Sequence, residues 1–187
     1  MSTSSKLASA AIGGMFFTAF GTLWLTLGVL QSSWSKLLLL PTIIFIGGLL
    51  FTFSLRQFQT HKAAYRNEAN TPERRRISRI FNIVNTVQWC LAGLLAFMFS
   101  NFGYDRWIVP MIIFIVGAHF LPLAKVFENR RHYLTGLGLM IVALVYPLIL
   151  SEGPINPFGP CVAGLILWLS AASTLLFPMP GQPLTLR

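Results

Sequence analysis

The chain has 187 residues, of which 55% are apolar and only 10% charged, against roughly 25% charged in ordinary soluble domains, so a water-soluble fold is a poor fit. A formal charge of +9 could suit nucleic acid, but the basic residues lie between long apolar runs instead of covering one face, which argues against that partner. Cys90 and Cys161 both fall in apolar stretches with no C-x-x-C or Cys/His ligand spacing, so neither a disulfide framework nor a zinc site is indicated.

A helix needs about 20 apolar residues to cross a hydrocarbon layer roughly 30 Å thick. Six stretches approach that length: 8–30, 37–55, 78–100, 107–127, 133–150 and 158–177. The expected fold is all-α: a single polytopic domain over 1–187 whose short connections force neighbouring spans antiparallel, giving three helical hairpins.

The first span is too long for a signal-peptide core and is expected to be retained. It carries Gly14, Gly21 and Gly28 at intervals of seven, with Ala10, Thr18 and Thr22 on or near the same face. Such a seam lets another helix approach closely; that helix can belong to this chain, to a second copy or to another membrane protein. Gly47 and Gly48 in the second span mark a bend or tight packing.

Residues 56–77 form the one sizeable polar stretch and are expected to be a basic cytoplasmic loop. Near its end, Thr71, Pro72 and Glu73 read as N-cap, first helical residue and early-turn acid. Arg74, Arg75, Arg76 and Arg79 would then ring the base of the third helix among anionic headgroups, each attracted there by about 1 kcal/mol.

Polar side chains inside hydrocarbon ask for partners, which makes them the first candidates for function. Asn82, Asn85, Thr86 and Trp89 follow the spacing of one helical face, with Gln88 on its shoulder, and that face is expected to point into the bundle. His119 in the fourth span lies at a depth similar to Asn85, counted from the same end at 1.5 Å per residue. Pro122 cannot donate to the Ala118 carbonyl and should kink the helix. Asn82, Asn85, Gln88 and His119 are therefore the candidate ligand-binding residues, for a small molecule or a lipid headgroup, or as a proton relay. The competing reading is interhelical glue, with each such bond worth about 0.6 kcal/mol.

Arg130 and Arg131 form a basic turn between the fourth and fifth spans, Pro147 marks a bend in the fifth, and 151–160 (SEGPINPFGP) reads as a stiff cap on the other side. Twelve of the fourteen Lys and Arg residues, all but Lys36 and Arg106, lie on the side of the N-terminus, so both termini are expected in the cytoplasm. Aromatic residues at the expected water boundaries, Trp34, Tyr104 and Trp107 outside and Tyr65 and Tyr133 inside, agree. The chain carries no G-x-S-x-G, H-E-x-x-H or P-loop motif and no carboxylate pair within a span, so no enzyme, metal or cofactor is expected.

Gly117, His119, Phe120, Pro122, Leu123, Ala124, Tyr133, Thr135 and Gly136 make 115–140 resemble a pattern of uncharacterised bacterial multi-helix membrane proteins, G-x-H-F-x-P-L-A followed by a basic turn and Y-x-T-G. That resemblance implies a bacterial cytoplasmic (inner) membrane and supplies no activity. A looser similarity is to the substrate-binding S-components of energy-coupling-factor vitamin transporters, small basic six-helix proteins that dock through small residues on helix one, here Ala10 and Gly14. The functional expectation is a non-enzymatic membrane protein with a polar intramembrane pocket. The alternative is a structural or accessory subunit that uses the glycine seam and the basic 56–79 loop to bind another membrane protein. Membrane lipids are the expected partners in either case.

Overall fold

The computed structural model describes residues 2–68 and 70–176. Within them six helices are long and apolar enough to cross a membrane, and no strand forms. They are α1 (Thr3–Gln31), α2 (Lys36–Asn67), α3 (Pro72–Asn101), α4 (Ile108–Val126), α5 (Arg131–Ile149) and α6 (Phe158–Leu176). Short 3-10 turns at Asp105–Trp107 and Gly153–Ile155 precede α4 and α6. Arg187 and the last residue of the expected 158–177 span lie outside the described residues.

The largest departure from expectation is at 56–77. This stretch is not a loop: α2 runs on to Asn67 and α3 starts at Pro72. The start signal behaves as its chemistry requires, with the Thr71 side chain accepting from the Arg74 N–H and Pro72 in the first turn, where its missing N–H removes no helical bond. Polar residues at 56–67 continue a helix begun in the apolar span, since Gln, Lys, Arg and Ala are good helix formers once a nucleus exists.

Packing order differs from chain order. α1 lies between α2 and α6, α5 bridges α6 and α4, and α3 packs along α4. The largest interface pairs α1 with α2, and the consecutive helices α2 and α3 share none of comparable size; the next two interfaces pair α1 with α6 and α4 with α5. Each of those is made by two glycines facing each other. A Cβ on Gly21 would lie 3.0 Å from the Gly164 carbonyl oxygen, and one on Gly117 would lie 2.8 Å from that of Gly136. Backbones this close gain dense van der Waals contact, which replaces the hydrophobic driving force absent between helices in lipid.

One core cluster joins Phe17, Ile113, Leu139, Ala143, Tyr146, Ala163, Leu167 and Ala171, and a second joins Leu25, Val29, Ile43, Cys161 and Trp168. α3 contributes to neither, and Ala92 is its one buried residue. The helices are also out of step at their basic end. Phe81 meets Phe127 at the close of α4, ring centroids 6.2 Å apart, so the nine residues of α3 before Phe81 extend about 13 Å beyond it at 1.5 Å per residue.

Candidate functional site

The site is built where α1, α4 and α5 meet at the basic end, with α3 closing one side. Phe17 of α1 packs against Phe120 (centroids 5.3 Å) and against His132 (5.6 Å). His119 stands edge-on to Phe120 at 5.5 Å, and His132 stacks on Phe120 at 6.0 Å and meets Phe127 at 6.1 Å. The imidazoles are thus set among four aromatic rings, since Phe81 packs on Phe127 from α3. Asn129 approaches His132 Nε2 to 3.4 Å.

His119 is half-buried and faces α3 through the backbone of Val84. Its Nδ1 is sealed from the surface and has no hydrogen-bond partner among the described residues. Asn85 adjoins Val84 and Gln88 lies one turn further on, and both are half-buried. Neither amide makes a side-chain hydrogen bond among the described residues. The contact with Val84 brings His119 to the turn of α3 that carries Asn85.

Two expectations about this region are corrected. Asn82, Thr86 and Trp89 are exposed, Trp89 at 55%. The packed side of α3 is Ile77, Phe81, Val84, Asn85, Gln88, Ala92 and Leu95, so Asn82, one turn from Asn85, is exposed instead of packed with Gln88 and His119. Pro122 is exposed inside a continuous α4 and adds no wall to the niche. His132, which the sequence reading passed over as part of a basic turn, joins the site instead. The one hint in the chain was a titratable group directly after Arg131 and four residues from Glu128, in a connection too short to leave it far from α4.

The glycine seam on helix one is occupied within the chain. A Cβ on Gly14 would lie 2.8 Å from Ser54 Oγ of α2, one on Gly21 would lie 2.6 Å from Trp168 Cδ1 of α6, and one on Gly28 would meet Cys161 Sγ. Trp168 Nε1 donates to Thr22 Oγ1 at 3.2 Å across the same interface. Both cysteines are free; Cys90 is exposed and Cys161 buried.

The arginines expected to line the base of α3 divide into two kinds. Arg74 turns inward: its guanidinium lies 3.8 Å from the centre of the Tyr65 ring, and Nη1 donates to Ser9 Oγ at 2.8 Å. Arg75, Arg76 and Arg79 are exposed. Arg131 donates to the Ser173 carbonyl at 2.7 Å and ties α5 to α6, while Arg130 is exposed. Next to Arg74, the Ser2 N–H donates to Glu68 Oε1 at 2.8 Å. Hydrogen bonds from the Ser2 hydroxyl and then its N–H hold the Glu68 carboxyl below the usual range.

At the opposite end, a depression of about 370 Å³ is lined by Gln31, Asp105, Arg106, Val109, Pro154 and Ile155. Its charged groups are exposed, so it lacks the desolvated polar atom that marks the His119 region. Among the described residues no group of three His, Cys, Asp or Glu is placed to hold a metal ion. No family model, curated protein or solved structure matches this chain.

Proposed function

We propose that this is a non-enzymatic bacterial inner-membrane protein that binds a small molecule or lipid headgroup between α3 and α4, with His119, Asn85 and Gln88 as its polar contacts. The basic end faces the cytoplasm in this reading, as the distribution of Lys and Arg requires. The observation that supports it most is His119 Nδ1, buried without a partner. An orphaned buried polar atom costs about 1–3 kcal/mol, and a ligand group that hydrogen-bonds it would recover that energy. The unspent amides of Asn85 and Gln88 supply donors and acceptors on the same side of α3.

Transport coupled to a charge is the weaker form of the idea, because no acid or base other than histidine lies deep in a span. The accessory-subunit alternative keeps one of its two docking surfaces: the glycine seam is covered by α2 and α6, whereas the basic 56–79 segment leaves Arg75, Arg76 and Arg79 exposed. Native mass spectrometry of the full chain, extracted gently from its host membrane, tests the proposal. A stoichiometric small ligand that is lost in His119→Ala and retained in Asn82→Ala is the expected result. A chain that carries no ligand, or one whose ligand survives both His119→Ala and Asn85→Ala, overturns it.

A further inference from the structure

α3 packs along α4 and leaves its other side open. On that side Arg75, Arg79, Asn82, Thr86, Gly93 and Phe97 are all exposed, and at 100° per residue they fall within an arc of about 60°. Trp89 stands at the edge of this arc. Polarity falls steadily along it: two guanidiniums one turn apart, then an amide, then a hydroxyl, then indole, glycine and phenyl. The ten steps from Arg79 to Trp89 rise about 15 Å, half of a roughly 30 Å hydrocarbon layer, so the gradient has the length of one leaflet.

Asn82 and Thr86 make no side-chain hydrogen bond among the described residues, whereas Thr42 and Thr52 on the equally exposed α2 each donate to the carbonyl four residues back, at 2.8 and 2.7 Å. A side chain added at Gly93 would enter open space, since a Cβ there has no neighbour within 4 Å. The stripe therefore offers positive charge, free polar groups and an open apolar surface in the order in which an anionic phospholipid presents phosphate, ester groups and chain.

We infer that this stripe binds one anionic phospholipid, with its phosphate between Arg75 and Arg79, its ester region at Asn82 and Thr86, and a chain along Trp89 and Gly93. A second copy of the chain fits less well: a parallel two-fold contact would set Arg75 and Arg79 against their own equivalents, with no acid on the stripe to offset them. A soluble acidic partner could meet the arginines but could not follow the stripe into hydrocarbon. This site is distinct from the His119 niche, which lies on the packed side of α3, although Asn82 of the stripe and Asn85 of the niche are one turn apart.

The full chain, reconstituted into phosphatidylcholine vesicles containing phosphatidylglycerol, tests this. Either lipid carries brominated chains, which quench a tryptophan they touch, and subtracting the signal of Trp89→Phe isolates Trp89. Brominated phosphatidylglycerol should quench Trp89 in clear preference to brominated phosphatidylcholine. Arg75→Ala with Arg79→Ala should reduce that preference by roughly ten- to thirtyfold. The pair Lys62→Ala and Arg66→Ala, which removes the same charge from exposed positions on α2, should leave it intact, as should His119→Ala. Equal quenching by the two lipids overturns the inference, as does an equal loss in the α2 pair, which would show diffuse attraction to the surface. Trp89 shielded from both lipids, with a dimer mass in native spectra, overturns it in favour of a second copy.

Discussion

α6 and α3 are both apolar enough to span a membrane, yet they are held in opposite ways. α6 buries Gly159, Pro160, Cys161, Ala163, Gly164, Leu167, Trp168 and Ala171 against α1 and α5, whereas α3 buries Ala92. The small residues of α6 let backbones meet, and their contacts are filled. α3 carries Asn82, Asn85, Thr86 and Gln88, whose hydrogen bonds are unfilled among the described residues. Dense packing and unfilled hydrogen bonds thus fall on different helices: the tightly held pairs form a frame, and the loosely held α3 carries the polar side chains without partners among the described residues.

The largest effect should come from breaking the frame. Gly21→Leu drives a side chain into Trp168 and the Gly164 carbonyl and is expected to destabilise the protein by about 3 kcal/mol, since overpacking against backbone cannot relax by a rotamer change. Gly93→Leu on α3, where an added Cβ meets nothing, should stay within about 0.5 kcal/mol of the parent. Denaturation midpoints in mixed micelles compare the two. Similar losses would mean that α3 is clamped as tightly as α6, and the contrast would fail.

A smaller effect is expected at the place where Arg74 fastens α3 to α1 and α2. Arg74→Ala removes a cation–π contact with Tyr65 and a hydrogen bond to Ser9, together worth about 1–2 kcal/mol. The neighbouring exposed Arg75 should matter to stability by less than about 0.5 kcal/mol. The same midpoints separate these substitutions, and equal losses would show that charge at the helix base acts as a whole rather than through the Arg74 contacts.

His119 sharpens the comparison further because its effect depends on sign. If Nδ1 is an orphan, His119→Met removes a desolvation penalty while giving up the contact with the Val84 backbone, and ligand-free stability should shift by less than about 1 kcal/mol in either direction. If the imidazole were interhelical glue with both nitrogens paired, the loss would be about 1–3 kcal/mol. Unfolding of ligand-free protein at neutral pH distinguishes the two.

The spans were legible from length and hydropathy alone because a bilayer imposes one length on every crossing helix. The helical run to Asn67 was not, since an apolar window reports where the hydrocarbon ends and not where the helix ends; only the Thr71 cap showed the true start of α3. His119 and Asn85 could be matched in depth by counting residues from a common end. The facing of Asn82 and Trp89 could not: grouping polar residues onto the inward face treats α3 as a helix in a full bundle, and α3 has a neighbour on one side along most of its length. His132 stayed hidden because a histidine after two arginines reads as a topology flank until Phe17, 115 residues earlier in the chain, is brought against it.

The smallest expected effect lies at the corner that joins α2 to α3, where Glu68 accepts from Ser2. Its carboxyl is held below the ordinary value of 4.5, so the folded chain binds this proton less readily than the unfolded chain does. The sign follows from linkage: the contribution is fully present above the unfolded value and is lost as pH falls through the lowered folded value. Parent protein should therefore lose stability relative to Glu68→Gln as pH is taken from about 6 to about 3, and the two should run parallel above about 6. Glu68 is only half-buried, so salt still screens it in part and the effect should shrink in high salt, whereas the Gly21→Leu loss should not. A salt-independent difference, or one that grows as pH rises, would mean that the corner is held by something other than the Ser2 to Glu68 contact.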